Sequence, residues 1–220
     1  MKNTAVVIII TIVVVLIIFG ILYGKFRKKE ELTQEEVDAL NRIKSIPTPS
    51  TVPSNPIAKE YFSKLWHDHV RLTRDVMVAT FNNDPNLNNL VDNLLKNQED
   101  IGNAIDKYYP SSAPIITQVL KEHITQAKDI LDDLKYKRLG RLSGDISKWY
   151  SNADKFSEIM MTINPAWNLK SHMQEHLRVL ERQSIYEWIG AKQLSLDIYN
   201  DRVIPNAQTM ADHIAAGLPS

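Results

Sequence analysis

Residues Ala5 to Gly24 read AVVIIITIVVVLIIFGILYG. The stretch holds twenty residues and no charge, and Thr11 is its one clearly polar side chain. A helix of that length rises roughly 30 Å, the thickness of a bilayer's hydrocarbon core. Its many β-branched residues would disfavour an isolated helix in water. In lipid every backbone group must be bonded within the segment, and for a single span only a helix does this. The competing reading is a cleaved signal peptide. That would have an apolar run of ~7–15 residues and a small-x-small cleavage site, and Leu22-Tyr23-Gly24-Lys25 offers none. The sequence therefore predicts a single amino-terminal transmembrane helix, with residues 1–29 as anchor and basic flank.

Flanking cations set the orientation. Lys2 precedes the span, whereas Lys25, Arg27, Lys28 and Lys29 follow it. The heavier flank stays cytoplasmic, so the expected topology is amino terminus out and carboxy-terminal domain in the cytosol, or inside the particle for a virion protein. Tyr23 and Phe26 suit the aromatic belt on the same side.

The chain as a whole is neutral, with 26 basic and 26 acidic residues. Five of the cations sit at the span and no acid does, which leaves 21 basic against 26 acidic from Glu30 onward, net −5. A mildly acidic domain is a poor electrostatic partner for nucleic acid. With no cysteine, disulfides, thiolate metal sites and a cysteine nucleophile are excluded. Seven glycines leave little room for phosphate-cradling loops.

Residues 30–57 read as a juxtamembrane helix and a linker. Thr33 with Glu36 makes a capping box, and Val37, Leu40 and Ile43 share one face. This helix is expected to be a stalk or a partner-binding element. Pro47, Pro49, Pro53 and Pro56 then mark an extended spacer. From Ala58 to Ser220 the apolar spacing is helical nearly throughout. The spacing predicts helices over 58–82, 85–96, 98–108, 112–137, 145–163, 166–188 and 192–216. Gly140 and Gly144 mark a turn, and Gly190 marks a turn or a kink. The expected fold is all-α: the anchor, the Pro-rich linker, and an up-and-down helical bundle of four long helices plus short extras.

Several phrases recur along this region: Leu65-Trp66-His67-Asp68-His69-Val70-Arg71-Leu72-Thr73-Arg74, Leu94-Leu95-Lys96-Asn97, Asp100-Ile101-Gly102-Asn103-Ala104, Glu122-His123-Ile124, Trp149-Tyr150-Ser151-Asn152-Ala153-Asp154, Ile163-Asn164-Pro165-Ala166-Trp167, Glu175-His176-Leu177 and Met210-Ala211-Asp212. In this order they resemble an uncharacterised family of helix-bundle domains in bacteria and large DNA viruses. The resemblance covers about Phe62 to Gly217 and implies a helical bundle. Members are sometimes labelled acetylglutamate kinase or glycosyltransferase. The phosphate loops and alternating strands such activities need are absent from this sequence, so the resemblance brings no mechanism.

The polar residues of these phrases fall on or beside apolar stripes. His69 and Thr73 lie one turn apart, His123 is in step with Leu120 and Ala127, and His176 and Asp154 fall near inward positions. His69, His123, Asp154 and His176 are the candidate metal ligands. A di-iron bundle wants Glu-x-x-His on two helices. Glu122-His123 and Glu175-His176 are adjacent pairs, about 100° apart on a helix, so that pattern fails. The preferred reading is a buried polar network of His69, Thr73, His123, Asn152, Asp154 and His176 that fixes helix register, with no catalytic residue and no cofactor. Trp149-Tyr150 with Asn152 and Asp154 is the densest cluster of unusual side chains and the first place to expect a pocket. The expected function is a membrane-anchored scaffold or interaction protein, or a virion membrane or capsid-associated structural protein. Its partners are the lipid bilayer and a protein not identifiable from sequence. The alternative is a membrane-tethered bundle binding a metal or small ligand, conceivably an enzyme.

Overall fold

A computed structural model describes residues 30–47 and 55–219. The Ala5–Gly24 span, its basic flank and most of the Pro-rich spacer lie outside the described residues. Among the described residues, no helix is long and apolar enough to cross a membrane, and no strand occurs.

The first helix, α1 (Gln34–Ser45), starts at the box read from sequence. The Thr33 amide donates to Glu36 Oε2 at 2.8 Å and the Glu36 amide donates to Thr33 Oγ1 at 3.3 Å. Five longer helices follow: α2 (Asn55–Asn82), α3 (Leu87–Asp106), α4 (Ala113–Lys135), α5 (Leu139–Ile163) and α6 (Lys170–Trp188). The chain closes with α7 (Lys192–Ile198), a π turn (Tyr199–Val203) and α8 (Ile204–Ala216). All five of the longer helices have 19 to 28 residues, one more than the four long helices expected.

The boundaries differ from expectation in three places. Asn97 and Gln98 read as a gap between two short helices, yet α3 runs straight through them. Both amides are buried and turn inward, Asn97 Nδ2 donating to Leu65 O at 3.1 Å and Gln98 Nε2 to Leu94 O at 2.8 Å. Gly140 and Gly144 lie inside α5. The turn comes earlier, at Lys137, which takes a left-handed φ of +57°. Gly190, with φ +77°, is a true turn between α6 and α7. The last helix is not continuous: Pro205 lacks an amide hydrogen and its ring would clash one turn back in an α-helix, and the π turn Tyr199–Val203 immediately precedes its turn of α8.

From α2 to α7 each helix packs against the next, and α8 returns onto α2. The pairings run antiparallel. The Ala113 amide caps on Asp106 Oδ1 at 2.9 Å while Lys121 meets Glu99 at 2.6 Å, so α4 runs back along α3. At one end Asn164 Nδ2 donates to Tyr109 Oη and to Gly217 O, at 2.8 and 2.5 Å. At the other, Lys192 Nζ donates to Asn82 Oδ1 at 3.4 Å. Phe62, Trp66, Ile101, Ile116, Phe156, Ile159, Trp167 and Leu177 fill the interior, each stabilising by ~1.5–3 kcal/mol on burial. Helix α6 touches α2, α4, α5, α7 and α8 and is the central rod.

Helix α1, expected as a stalk or partner-binding element, lies on α5. Leu40 and Ile43 enter the common core. The nearly buried Lys155 ammonium pairs with Glu36 at 2.8 Å and Glu30 at 3.3 Å.

Candidate functional site: a buried histidine row

His69, His123 and His176 come from α2, α4 and α6, and each is at most 3 % exposed. Their rings meet in the middle of the bundle. His176 sits between the other two, with ring centroids 5.7 Å from His69 and 6.4 Å from His123. Trp66 lies edge-on to His69 at 5.5 Å, and Trp149 of α5 lies 5.2 Å from His123. Five rings from four helices thus cross the core in the order Trp66, His69, His176, His123, Trp149.

The hydrogen bonds around the row define its protons. Asn152 Nδ2 donates to Val119 O at 3.1 Å, which leaves Asn152 Oδ1 as the acceptor facing His123 Nδ1 at 3.0 Å. His123 therefore carries its proton on Nδ1, and Nε2 is a buried acceptor with no partner. On the other side Gln98 is held by its bond to Leu94 O, so its amide donates to His69 Nδ1 at 3.2 Å. His69 then keeps its proton on Nε2. His176 Nδ1 makes no hydrogen bond of good geometry, although the Asn206 amide beside it favours the protonated ring. Burial pushes all three imidazoles down: His123 to about 3, reinforced by His176; His176 to about 4; and His69 well below its usual value, reinforced by both neighbours. At neutral pH the row is uncharged.

The other expected members of the network sit differently. Thr73 Oγ1 donates to His69 O at 2.8 Å, one turn back on its own helix, and not to a ring. Asp154 accepts from Gln174 at 3.4 Å and pairs with Lys170 at 3.5 Å, so its carboxylate is engaged by the first turns of α6. Among the described residues, no three His, Asp or Glu side chains are grouped to hold a metal ion.

Trp149 is buried within the row, and two concavities lie elsewhere on the described residues. An open groove of about 770 Å³ runs between α3 and α4, over Glu99, Asn103, Thr117 and Lys121. A smaller polar pocket of about 270 Å³ is formed by His172, Glu175, Asp201, Arg202, Asn206 and Thr209. The π turn supplies Asp201 and Arg202 to it, and Arg202 reaches Glu175 at 2.6 Å. Its floor, Asn206, is 9 % exposed and donates to His172 O at 3.2 Å. Asn206 thus separates this pocket from His176.

The sequence reading missed Gln98, Asn206 and Glu181. Burial pushes the Glu181 carboxyl up to about 7, against a hydrogen bond from Tyr150 and the charge of Arg182. A glutamate on a charged helix gave no signal of this. Pro205 beside Asn206 was the available sign of an interrupted helix.

A scan against protein-family models found no match, and searches of curated proteins and of solved structures found none either.

Proposed function

We propose that this chain is a membrane-anchored scaffold or interaction protein. In this reading residues 1–29 span and grip the bilayer, and the up-and-down bundle, with α1 docked on α5, faces the cytosol or the interior of a virion. The family resemblance belongs to the same proposal, including the large-DNA-virus setting in which the chain would be a structural protein of a membrane or capsid. The observation that carries the proposal is the uncharged Ala5–Gly24 stretch followed at once by four cations in five residues. The neutral histidine row also supports it. Its hydrogen-bonded rings serve well as a register lock between four helices and hold no charge for acid–base work at pH 7. Alkaline carbonate extraction of membranes from expressing cells tests the anchor. The full chain is expected in the pellet, and a chain lacking residues 1–29 in the supernatant. Full release of the intact chain would refute the proposal.

A second reading, a tethered bundle that binds a small ligand, is favoured by the Glu175–Arg202 pocket and its buried Asn206 floor. A screen of small polar metabolites by thermal shift tests it. A hit abolished by Asn206→Leu would replace the scaffold reading. Metal content of the purified chain tests the metal variant of this alternative.

A further inference from the structure

The turn between α4 and α5 carries Lys135-Tyr136-Lys137-Arg138-Leu139-Gly140-Arg141. It has four cations and no acid in seven residues, within a domain that is otherwise net acidic. Residues 136–141 are all exposed, Tyr136 at 61 % and Leu139 at 58 %. Two nearly buried carboxylates lie underneath. Asp133 accepts from Arg138 Nε at 2.8 Å, and Asp145 pairs with Lys148 at 2.8 Å and Arg141 at 3.5 Å. They hold these cations from below while the charged groups face outward. Lys135 and Lys137 make no ion pair among the described residues. The Tyr136 ring is flanked by Lys135 Nζ and the Arg138 guanidinium, each 5.3 Å from its centroid, and so stands out in the middle of the charge. Among the described residues, no atom lies within 4 Å of where a Cβ would stand at Gly140 or Gly144. The antiparallel register brings the α6–α7 turn, with exposed Ile189, and the start of α7, with exposed Leu194, to the same end of the bundle.

Cations around an exposed tyrosine and leucine match the headgroup zone of an anionic leaflet, where basic residues meet lipid phosphates and aromatic and aliphatic groups enter the interface. A nucleic acid would use the cations and could stack a base on Tyr136, but it offers no apolar phase to exposed Leu139, Ile189 and Leu194. We propose that the 135–141 turn is a second, peripheral membrane contact, made with anionic lipids of the leaflet from which the span emerges. The proposal rests on the anchored reading above. The distances permit it. Glu30 is fixed to Lys155, which lies ~24 Å along α5 from Leu139. The five residues before Glu30 reach at most ~17 Å. That reach, added to the lengths of the paired Lys155 and Glu30 side chains, covers the ~24 Å, so one placement of the bundle meets both contacts.

The absence of cysteine allows a clean test. Gly140→Cys, where a side chain fits in open space, is labelled with an environment-sensitive fluorophore in the full chain. The labelled protein is placed in lipid nanodiscs of phosphatidylcholine alone, or with a third of the lipid replaced by phosphatidylserine. A several-fold rise in emission and quenching by nitroxide lipids is expected only in the anionic discs. The rise is expected to disappear in Lys135→Glu/Lys137→Glu, which spares the arginines held by Asp133, and in high salt, which screens the attraction without any substitution. A label at exposed Thr125→Cys is expected to stay silent. A chain that washes out of discs in high salt would defeat the anchor reading itself. A chain that stays embedded while the Gly140 label responds equally in both lipids, or in neither, would overturn the second contact alone. So would a label that responds to a short RNA but not to anionic discs.

Discussion

Acidification tests the histidine row most severely. His123 and His176 titrate at about 3 and about 4 in the folded chain, against ~6.5 in an unfolded one. Their folded values are depressed, so between pH 6.5 and pH 4 the unfolded chain binds more protons and stability falls as pH falls. At 1.36 kcal/mol per unit, the 1.5 units between 6.5 and pH 5 amount to ~2 kcal/mol for each ring, ~4 kcal/mol for the two. His69 acts in the same direction. Domain stabilities are ~5–15 kcal/mol, so this is a large share. Glu181, whose folded carboxyl is raised to about 7, opposes it. Its protonated form is favoured on folding, and it adds stability as pH falls through that value. The assay is urea unfolding of the 30–220 segment at pH 7.5 and pH 5.0, followed by circular dichroism. We expect a loss of several kcal/mol, enlarged in Glu181→Gln, which removes the opposing titration. Equal stability at the two pH values in Glu181→Gln would mean that the imidazoles are solvated, and the row as described would be wrong.

His123→Ala is expected to lose ~1–3 kcal/mol by orphaning the buried Asn152 acceptor, to lose more from the cavity, and to show an acid loss smaller by ~2 kcal/mol; the same urea titrations measure both. Leu40→Ala is expected to cost ~2–5 kcal/mol, because Leu40 is 2 % exposed in the common core; no change in the unfolding midpoint would return α1 to the role of a free stalk. Gly217→Ala would place a methyl 2.5 Å from Trp167 Nε1, displacing the indole from its 2.9 Å bond to Ile214 O. A loss of ~1–3 kcal/mol is expected, with altered tryptophan fluorescence as the readout.

The helical character of the chain was plain in its spacing, and so were the inward positions of His69, His123 and His176. Each is a polar residue in step with leucine or isoleucine at intervals of three and four, and the helix period alone places such a residue in the core. Asp154 was not legible in this way. Two residues from Asn152 is about 200° of rotation, so the two side chains leave α5 on opposite sides. One faces α4 and the other α6. Residues 151–157 are all buried, so α5 has no single inward stripe in that stretch. Asn97 and Gln98 look like loop residues until their backbone partners, Leu65 O and Leu94 O, are known, and so suggest a break that α3 does not have. Gly140 and Gly144 suggest the α4–α5 turn, whereas the chain turns at Lys137. Nothing in the sequence marks a lysine for a left-handed φ. The capping box fixed the start of α1 locally, but its docking on α5 depends on Lys155, over a hundred residues away. Asn206 acquires its place from the π turn, a tertiary accommodation of Pro205 that periodicity does not register.

The central claim is a chain anchored in a membrane with its bundle on the cytosolic side. A single cysteine at Ser50→Cys, in the stretch joining α1 to α2 of a chain with no other thiol, measures it directly. In intact cells a membrane-impermeant maleimide is expected to leave this cysteine unmodified, and to modify it fully once the membrane is opened. Full modification in intact cells would place the bundle on the opposite side and contradict the orientation drawn from Lys25, Arg27, Lys28 and Lys29. A labelled chain recovered from the soluble fraction without detergent would contradict the anchor.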